Sequence, residues 1–332
     1  MVESGAPRLV VSNYAFAPED RARVEAALGK DRLVLVQGRD ALHEALLAHP
    51  STDVLCTFAP TPDTLTLAPS LRWIALPSAG ADSAFRAGLV VPGGPIVTTA
   101  SGIHAVPIGE FVLSLILMWV RHWPRLIDLQ RQVAWPDHAG WEALQGHELF
   151  GATLGIVGLG AIGRNIARLG HAFGMRVVAI RRSAIANDSD PDVDDLLPPD
   201  QLAKLLSASD FVVLSVPSTP HTRHLIGASE LRLMRRNAFL INISRGSTID
   251  EAALVAALRD GVIGGAGLDV FEEEPLPASS PLWRLTNVII SPHLAGNSDR
   301  YSRRFTDLFL ENLARFRAGG PLRNVVELER GY

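Results

Sequence analysis

Short apolar runs alternate along the chain with stretches in which apolar side chains recur every three or four residues. This is the pattern of parallel strands joined by crossover helices. In the first third, strands are expected at 9–12, 33–36, 54–58, 73–76 and 96–99. Pro18 opens a helix carrying Val24, Ala27 and Leu28, residues 41–47 repeat the helical spacing, and a short helix is expected around Phe85. The fourth strand ends in Pro77, followed by Ser78, Ala79 and Gly80, a small-residue loop at a carboxyl strand end. Ligands of open α/β sheets bind at such ends, and a simple turn fits the same residues equally well. A long apolar helix is predicted from Ala105 to about Gln130, with Pro107 in its first turn, where proline is tolerated. The rhythm then resumes with strands at 153–157, 176–180, 210–216, 238–243, 267–271 and 288–290 and helices at 201–206 and 229–234. The expectation is an α/β protein with two parallel-sheet units.

The most informative turn lies at Gly158, Gly160, Ala161, Ile162 and Gly163. An apolar strand precedes it, and Ile162, Ile166 and Leu169 follow at helical spacing. In a G-x-G-x-x-G turn of this context the first glycine permits the bend and the second lets a pyrophosphate approach the backbone. The third lets the helix pack against the strand, so that the phosphates rest on the helix N-terminus. A plain strand-to-helix turn is the alternative. About 20 residues beyond such glycines an acidic side chain is expected for the ribose 2′-hydroxyl of NAD; here stand Arg181, Arg182 and Ser183. Two guanidiniums and a hydroxyl suit the 2′-phosphate of NADP, with NAD still possible if both arginines are merely solvated. The acidic run 188–195 reads as a solvated loop and weighs slightly against NADP.

Three further stretches place charged or titratable side chains just past strands: Arg245, the run Glu272, Glu273 and Glu274, and His293. An arginine can clamp a carboxylate, a histidine can transfer a proton near neutral pH, and a carboxylate beside that histidine fixes its orientation. Taken singly, each also reads as a surface or capping residue. His221 and His224 lack a third ligand at matching spacing, so no metal is expected.

Composition adds limits. The chain has 332 residues, enough for two domains, and is 47% apolar and 20% charged. A net charge of −4 without a basic stripe argues against nucleic acid. One cysteine, Cys56, cannot form an internal disulfide; residues 1–5 show no leader pattern, and the most apolar window, 111–120, is too short to cross a bilayer. A cytoplasmic protein that does not enter membranes is expected. Trp119, Trp123, Trp135 and Trp141 cluster in and after the long helix, as in a dimer contact or in core between domains.

Together, Gly158 to Gly163, residues 222–226 (TRHLI), 242–246 (NISRG), 267–271 (GLDVF) with Glu274 and Pro275, and 291–293 (SPH) resemble the D-isomer-specific 2-hydroxyacid dehydrogenases over nearly the whole chain. That resemblance implies a Rossmann-like NAD(P) domain, 102–290, inserted into a flavodoxin-like substrate domain made of 1–101 and 291–332, and a homodimer formed largely through the cofactor domain. It further implies that Arg245 binds the carboxylate of a 2-oxo acid and polarises its carbonyl. His293 would protonate the developing alkoxide, Glu274 would hold His293, and the backbone of Ser78, Ala79 and Gly80 would bind the same carboxylate. Cofactor contacts would come from the glycine turn, Arg181, Arg182, Ser183, Val216, Pro217, Thr222, Ile243, Ser244, Asp269, His293, Ala295 and Gly296. Arginines after the second cofactor-domain strand are familiar from the glyoxylate and hydroxypyruvate reductase branch, which implies an NADPH-preferring reductase. The other class of function with these motifs is a dinucleotide-sensing interaction protein of corepressor type, without turnover.

Overall fold

The computed structural model describes residues 9–29, 31–185 and 187–329, so the leader reading of residues 1–5 lies outside the described residues. Contacts divide the chain into two units, one running to His104 and resuming at Ser298, the other Ala105–Asn297.

Unit 1 begins β1 (Val10–Ser12), α1 (Pro18–Leu28), β2 (Leu33–Leu35), α2 (Arg39–Ala48), β3 (Val54–Cys56), α3 (Thr64–Leu67), β4 (Trp73–Ala75), α4 (Asp82–Arg86) and β5 (Ile96–Thr98). Its five strands are parallel in the order β2-β1-β3-β4-β5, the flavodoxin-like order. Both faces of a parallel sheet are buried, so its central strands are mostly apolar, buried Ser12 of β1 excepted, while successive side chains enter different cores. Val10, Val54, Cys56 and Trp73 enter one, with Val24 and Leu28 of α1. Val11, Leu55 and Ile74 enter the other, with Leu42 and Leu46 of α2.

Unit 2 opens with α5 (Ala105–Val120), α6 (Trp123–Arg131) and α7 (His138–Ala143). One continuous helix to about Gln130 is therefore corrected: the axes of α5 and α6 differ by 66°. Pro124, at the start of α6, has no N–H to offer the carbonyl of Val120, and its ring clashes with a helical carbonyl four residues back. His122 turns into the left-handed region (φ 54°), and the Val120 carbonyl accepts the His147 N–H instead, at 3.1 Å.

Then follow β6 (Thr153–Val157), α8 (Ala161–Ala172), β7 (Arg176–Ile180), β8 (Asp195–Leu197), α9 (Leu202–Ala208), β9 (Phe211–Leu214), α10 (Ala228–Leu233), β10 (Phe239–Asn242), α11 (Glu251–Arg259), β11 (Gly265–Leu268) and β12 (Val288–Ile290). The seven parallel strands are ordered β8-β7-β6-β9-β10-β11-β12, a Rossmann order extended by a seventh strand. Leu154, Ile156, Val213, Phe239 and Ile241 face the core under α5 and α8. Val157, Val212, Leu214 and Leu240 face the other.

Chain then returns to unit 1 as α12 (Tyr301–Arg317), whose Phe305, Phe309 and Phe316 join the α1 core. Both crossings come later than expected. Asn324 donates to the Ser101 carbonyl (2.7 Å) and Ile103 packs on the α1 core, which keeps 101–104 in unit 1. Residues 291–297 belong to unit 2, where the His293 N–H donates to the Asp269 carbonyl at 2.8 Å.

The acidic run 188–195 is not a solvated loop. Asp190 is buried and receives both guanidinium arms of Arg164, at 2.6 and 2.7 Å, and one from Arg181 at 3.0 Å. Asp192 takes Arg164 at 2.9 Å, Asp194 accepts the Val177 N–H at 2.7 Å, and Asp195 already belongs to β8. Among the tryptophans, Trp119 is stacked on Phe239 (4.7 Å between centroids) in the core of unit 2. Trp123, Trp135 and Trp141 are exposed.

Candidate functional site

Every candidate residue of unit 2 follows the carboxyl end of a strand in one sheet. β6 leads into the glycine turn, where Gly158 has φ 108° and a Cβ there would lie 2.6 Å from the Ser215 carbonyl oxygen. A Cβ on Gly163 would lie 2.3 Å from the Gly158 carbonyl oxygen, so β6 and α8 can approach this closely only without it. Gly160 is different: nothing lies within 4 Å of its Cβ position. The turn is thus closed on the protein side and open at its middle glycine, above the N-terminus of α8, whose first N–H groups have no intrahelical acceptor. That cradle fits the pyrophosphate of a dinucleotide.

On one side of β6, β7 ends in Arg181, Arg182 and Ser183. Arg181 is tied to Asp190, while Arg182 and Ser183 are exposed. Hydrogen bonding to Arg164 holds the Asp190 carboxyl below its ordinary range despite its burial, with Arg181 adding to the effect. On the other side, β9 ends in Val216 and Pro217, and the Thr222 hydroxyl closes that loop by donating to the Pro217 carbonyl at 2.7 Å. His224 Nε2 lies 2.7 Å from Glu272. Among the described residues no group of three His, Cys, Asp or Glu side chains is placed to hold a metal.

The next three strands lead into the charged and titratable candidates. Past β10, Ile243 and Ser244 are buried, and the Ser244 hydroxyl donates to Asn242 Oδ1 at 2.7 Å. Arg245 follows, its Nη1 donating to the Ser244 carbonyl at 2.7 Å, and Asn242 Nδ2 donates to its carbonyl at 3.0 Å. Past β11, Glu274 folds back so that Oε1 accepts the Phe271 N–H (3.0 Å) and Oε2 meets His293 Nδ1 at 2.8 Å. With Nδ1 turned to the carboxylate, Nε2 is the nitrogen left for a ligand. The His293 side chain is 50% exposed, open enough to exchange protons with solvent.

Asp269 has a role the sequence did not reveal. It is buried, its Oδ1 accepts the Leu294 N–H (2.8 Å) and its Oδ2 the Ala295 N–H (3.0 Å). It therefore clamps the loop that carries His293. The sequence placed Asp269 inside the strand expected at 267–271, and its expected contact with the cofactor came from the family resemblance alone.

In unit 1, the Ser78–Gly80 loop follows β4. Ser78 Oγ donates to the Gly80 carbonyl at 2.8 Å, and the Ser78 carbonyl accepts the Ala100 N–H at 2.8 Å. Among the described residues the N–H groups of Ser78, Ala79 and Gly80 meet no protein acceptor.

Residues 113–295 match the sequence profile of the D-isomer specific 2-hydroxyacid dehydrogenase, NAD binding domain. The chain belongs to the D-isomer specific 2-hydroxyacid dehydrogenase family. It is an oxidoreductase that uses a nicotinamide dinucleotide to interconvert 2-oxo and 2-hydroxy acids. A glyoxylate reductase of Korarchaeum cryptofilum is 38% identical over 270 residues, covering 79% of this chain and 78% of that protein. A glycerate dehydrogenase of Methylorubrum extorquens is 36% identical, covering 80% of this chain and 82% of its own. Among solved structures, a dehydrogenase of this family from Xanthobacter autotrophicus, in complex with NADPH and MES, superposes with a TM-score of 0.84 at 29% identity. That likeness covers 98% of this chain and all of the other. An NADPH-dependent glyoxylate/hydroxypyruvate reductase from Sinorhizobium meliloti, with NADP and sulfate, gives 0.80 at 28%, covering 97% and 99%. For this dehydrogenase, the open cradle at Gly160 and the contact of His293 with Glu274 are features of its own chain.

Proposed function

We propose that this dehydrogenase reduces a small 2-oxo acid of the glyoxylate or hydroxypyruvate kind to the D-2-hydroxy acid, with NADPH preferred over NADH and His293 as the acid. The observation that carries the reading is the contact of His293 Nδ1 with Glu274 Oε2 at 2.8 Å, on the strand ends beside that of Arg245. When bound, the nicotinamide supplies a hydride to the carbonyl carbon. Arg245 binds the carboxylate and draws electron density toward the carbonyl oxygen. Nε2 of His293 gives its proton to that oxygen as the alkoxide forms, Glu274 holds the ring in line, and solvent restores the proton. In unit 1, the unpaired N–H groups of Ser78, Ala79 and Gly80 serve as carboxylate donors. The glycine turn, Val216, Pro217, Thr222, Ile243, Ser244, Ala295 and Gly296 would hold the cofactor, with Asp269 behind them clamping the His293 loop.

NADPH preference is supported by Arg182 and Ser183, exposed past β7, and by the NADPH and NADP bound to relatives at 29% and 28% identity. Arg181 contributes less than an unpaired arginine would, because Asp190 shares its charge. The names of the glyoxylate reductases at 36–38% identity support the substrate class. The exposed Trp123, Trp135 and Trp141 of unit 2 suit a homodimer contact, and the lone, buried Cys56 suits the cytoplasm.

Steady-state kinetics with glyoxylate, hydroxypyruvate, pyruvate and phenylpyruvate, each with NADPH and NADH, test the reading. The expected result is highest kcat/KM with NADPH and one of the two smaller polar acids, and a much larger loss for NADPH than for NADH on replacing Arg181 and Arg182 together with Ala. Absence of turnover on the whole panel overturns it.

A further inference from the structure

The carboxyl edge of the five-stranded sheet in unit 1 carries rings that the reaction as described does not use. Tyr14 follows β1, Phe58 follows β3, Pro77 follows β4 and His104 lies beyond β5. Tyr301, the first residue of α12, reaches into this edge. Its hydroxyl donates to the Pro77 carbonyl at 2.6 Å, and its ring lies 5.3 Å from that of His104 and 6.4 Å from that of Tyr14. The helix that carries it is firmly seated: Ser302 Oγ donates to buried Asp20 at 2.9 Å and accepts the Ala17 N–H at 3.1 Å, and Phe305 and Phe309 are in the core.

The Pro77 carbonyl and the Ser78 N–H belong to one planar peptide, so fixing the first fixes the direction of the second. A donor on the carbonyl also polarises the peptide and strengthens its N–H as a donor. The next peptide is held in the same way, since the Ser78 carbonyl accepts the Ala100 N–H and the Ala79 N–H shares its plane. Two successive donors are therefore aimed from behind, one by backbone and one by a side chain. Only the Tyr301 contact can be removed by substitution without altering the loop.

We propose that Tyr301 is a positioning residue for the 2-oxo acid, aiming the Ser78 N–H at the substrate carboxylate through its hydrogen bond to the Pro77 carbonyl. The inference rests on the reading of the Ser78–Gly80 loop as a carboxylate site. Burial raises the Tyr301 phenol far above its ordinary range, so it stays a donor at every working pH.

The test is Tyr301→Phe, which keeps the ring and deletes only the hydroxyl, beside Ala79→Pro, which deletes one donor of the loop. In Tyr301→Phe, KM for the 2-oxo acid should rise roughly fivefold to tenfold, the loss of about one net hydrogen bond. Turnover number and KM for the nicotinamide cofactor should stay near wild type. Ala79→Pro should raise the same KM. An unchanged KM in Tyr301→Phe with a raised KM in Ala79→Pro overturns the role of Tyr301 and leaves the loop reading standing. Unchanged KM in both overturns the loop reading and the proposal with it. A fall in turnover at constant KM, or a rise in both substrates' KM, makes Tyr301 merely structural and also overturns the proposal.

Discussion

His293 stands on backbone that non-glycine residues seldom adopt, with φ 56°, and is kept there by the three N–H bonds that its loop makes to Asp269. On the proposed mechanism, His293→Ala lowers kcat by about 100- to 10,000-fold, the usual cost of a lost acid, with little change in cofactor binding. Stopped-flow or steady-state turnover with NADPH checks this, and near wild-type turnover contradicts it. Asp190 matters at the same scale for stability. Its carboxyl is held below its ordinary range chiefly by Arg164, so its contribution is complete above the unfolded value of about 3.9 and is lost as pH falls through the lower, folded value. Asp190→Asn should therefore cost about 2–3 kcal/mol at neutral pH, the worth of charge-assisted bonds to a buried carboxylate. Thermal melts should show the gap between the two proteins closing as pH drops below about 4. A gap independent of pH contradicts the assignment.

At the scale of elements, the glycine turn separates packing from binding. Gly163→Ala forces a Cβ against the Gly158 carbonyl and should cost roughly 2 kcal/mol or more, lowering the melting temperature. Gly160→Ala meets open space on the protein side, so it should melt like the parent yet raise the cofactor's Kd by at least about tenfold, or roughly 1.4 kcal/mol. Calorimetry and cofactor titration on the two variants separate these outcomes. This turn was legible in the sequence because strand, glycines and helix are contiguous and each follows from local sterics. The strands of unit 1 were legible for a similar reason: buried parallel strands are runs of apolar residues. Other features depend on partners distant in the chain. The acidic run looked solvated because its cations, Arg164 and Arg181, lie elsewhere in the sequence, and the bend at His122 was hidden because α5 and α6 are each helical in pattern. Strand β11 came earlier than predicted, at Gly265–Leu268 instead of 267–271, because Gly265 offers no apolar side chain to mark the strand and Trp119 packs where its Cβ would be. At the site, residue types and order were visible, and the tie between Glu274 and His293 was expected from the family resemblance and not from spacing, whereas the clamp by Asp269 needed coordinates.

At the scale of the whole molecule, unit 2 exposes Trp123, Trp135 and Trp141, with Trp135 87% exposed. On the proposed homodimer, sedimentation at micromolar concentration gives twice the chain mass and Trp135→Glu shifts it toward one. A monomer for the parent protein contradicts it. Unit 1 is discontinuous: Phe305, Phe309 and Phe316 complete its core, and Val326 donates its N–H to the Val97 carbonyl at 2.8 Å. This has a consequence in time. On the ribosome, unit 2 is continuous and can settle as soon as its last strand emerges, but the five-stranded sheet, although made first, lacks one wall until α12 has been synthesised. The nascent chain carries those early strands half-covered through the making of all of unit 2, and it is over that interval that its apolar faces stand open to chaperones or to the same segment of a neighbouring chain.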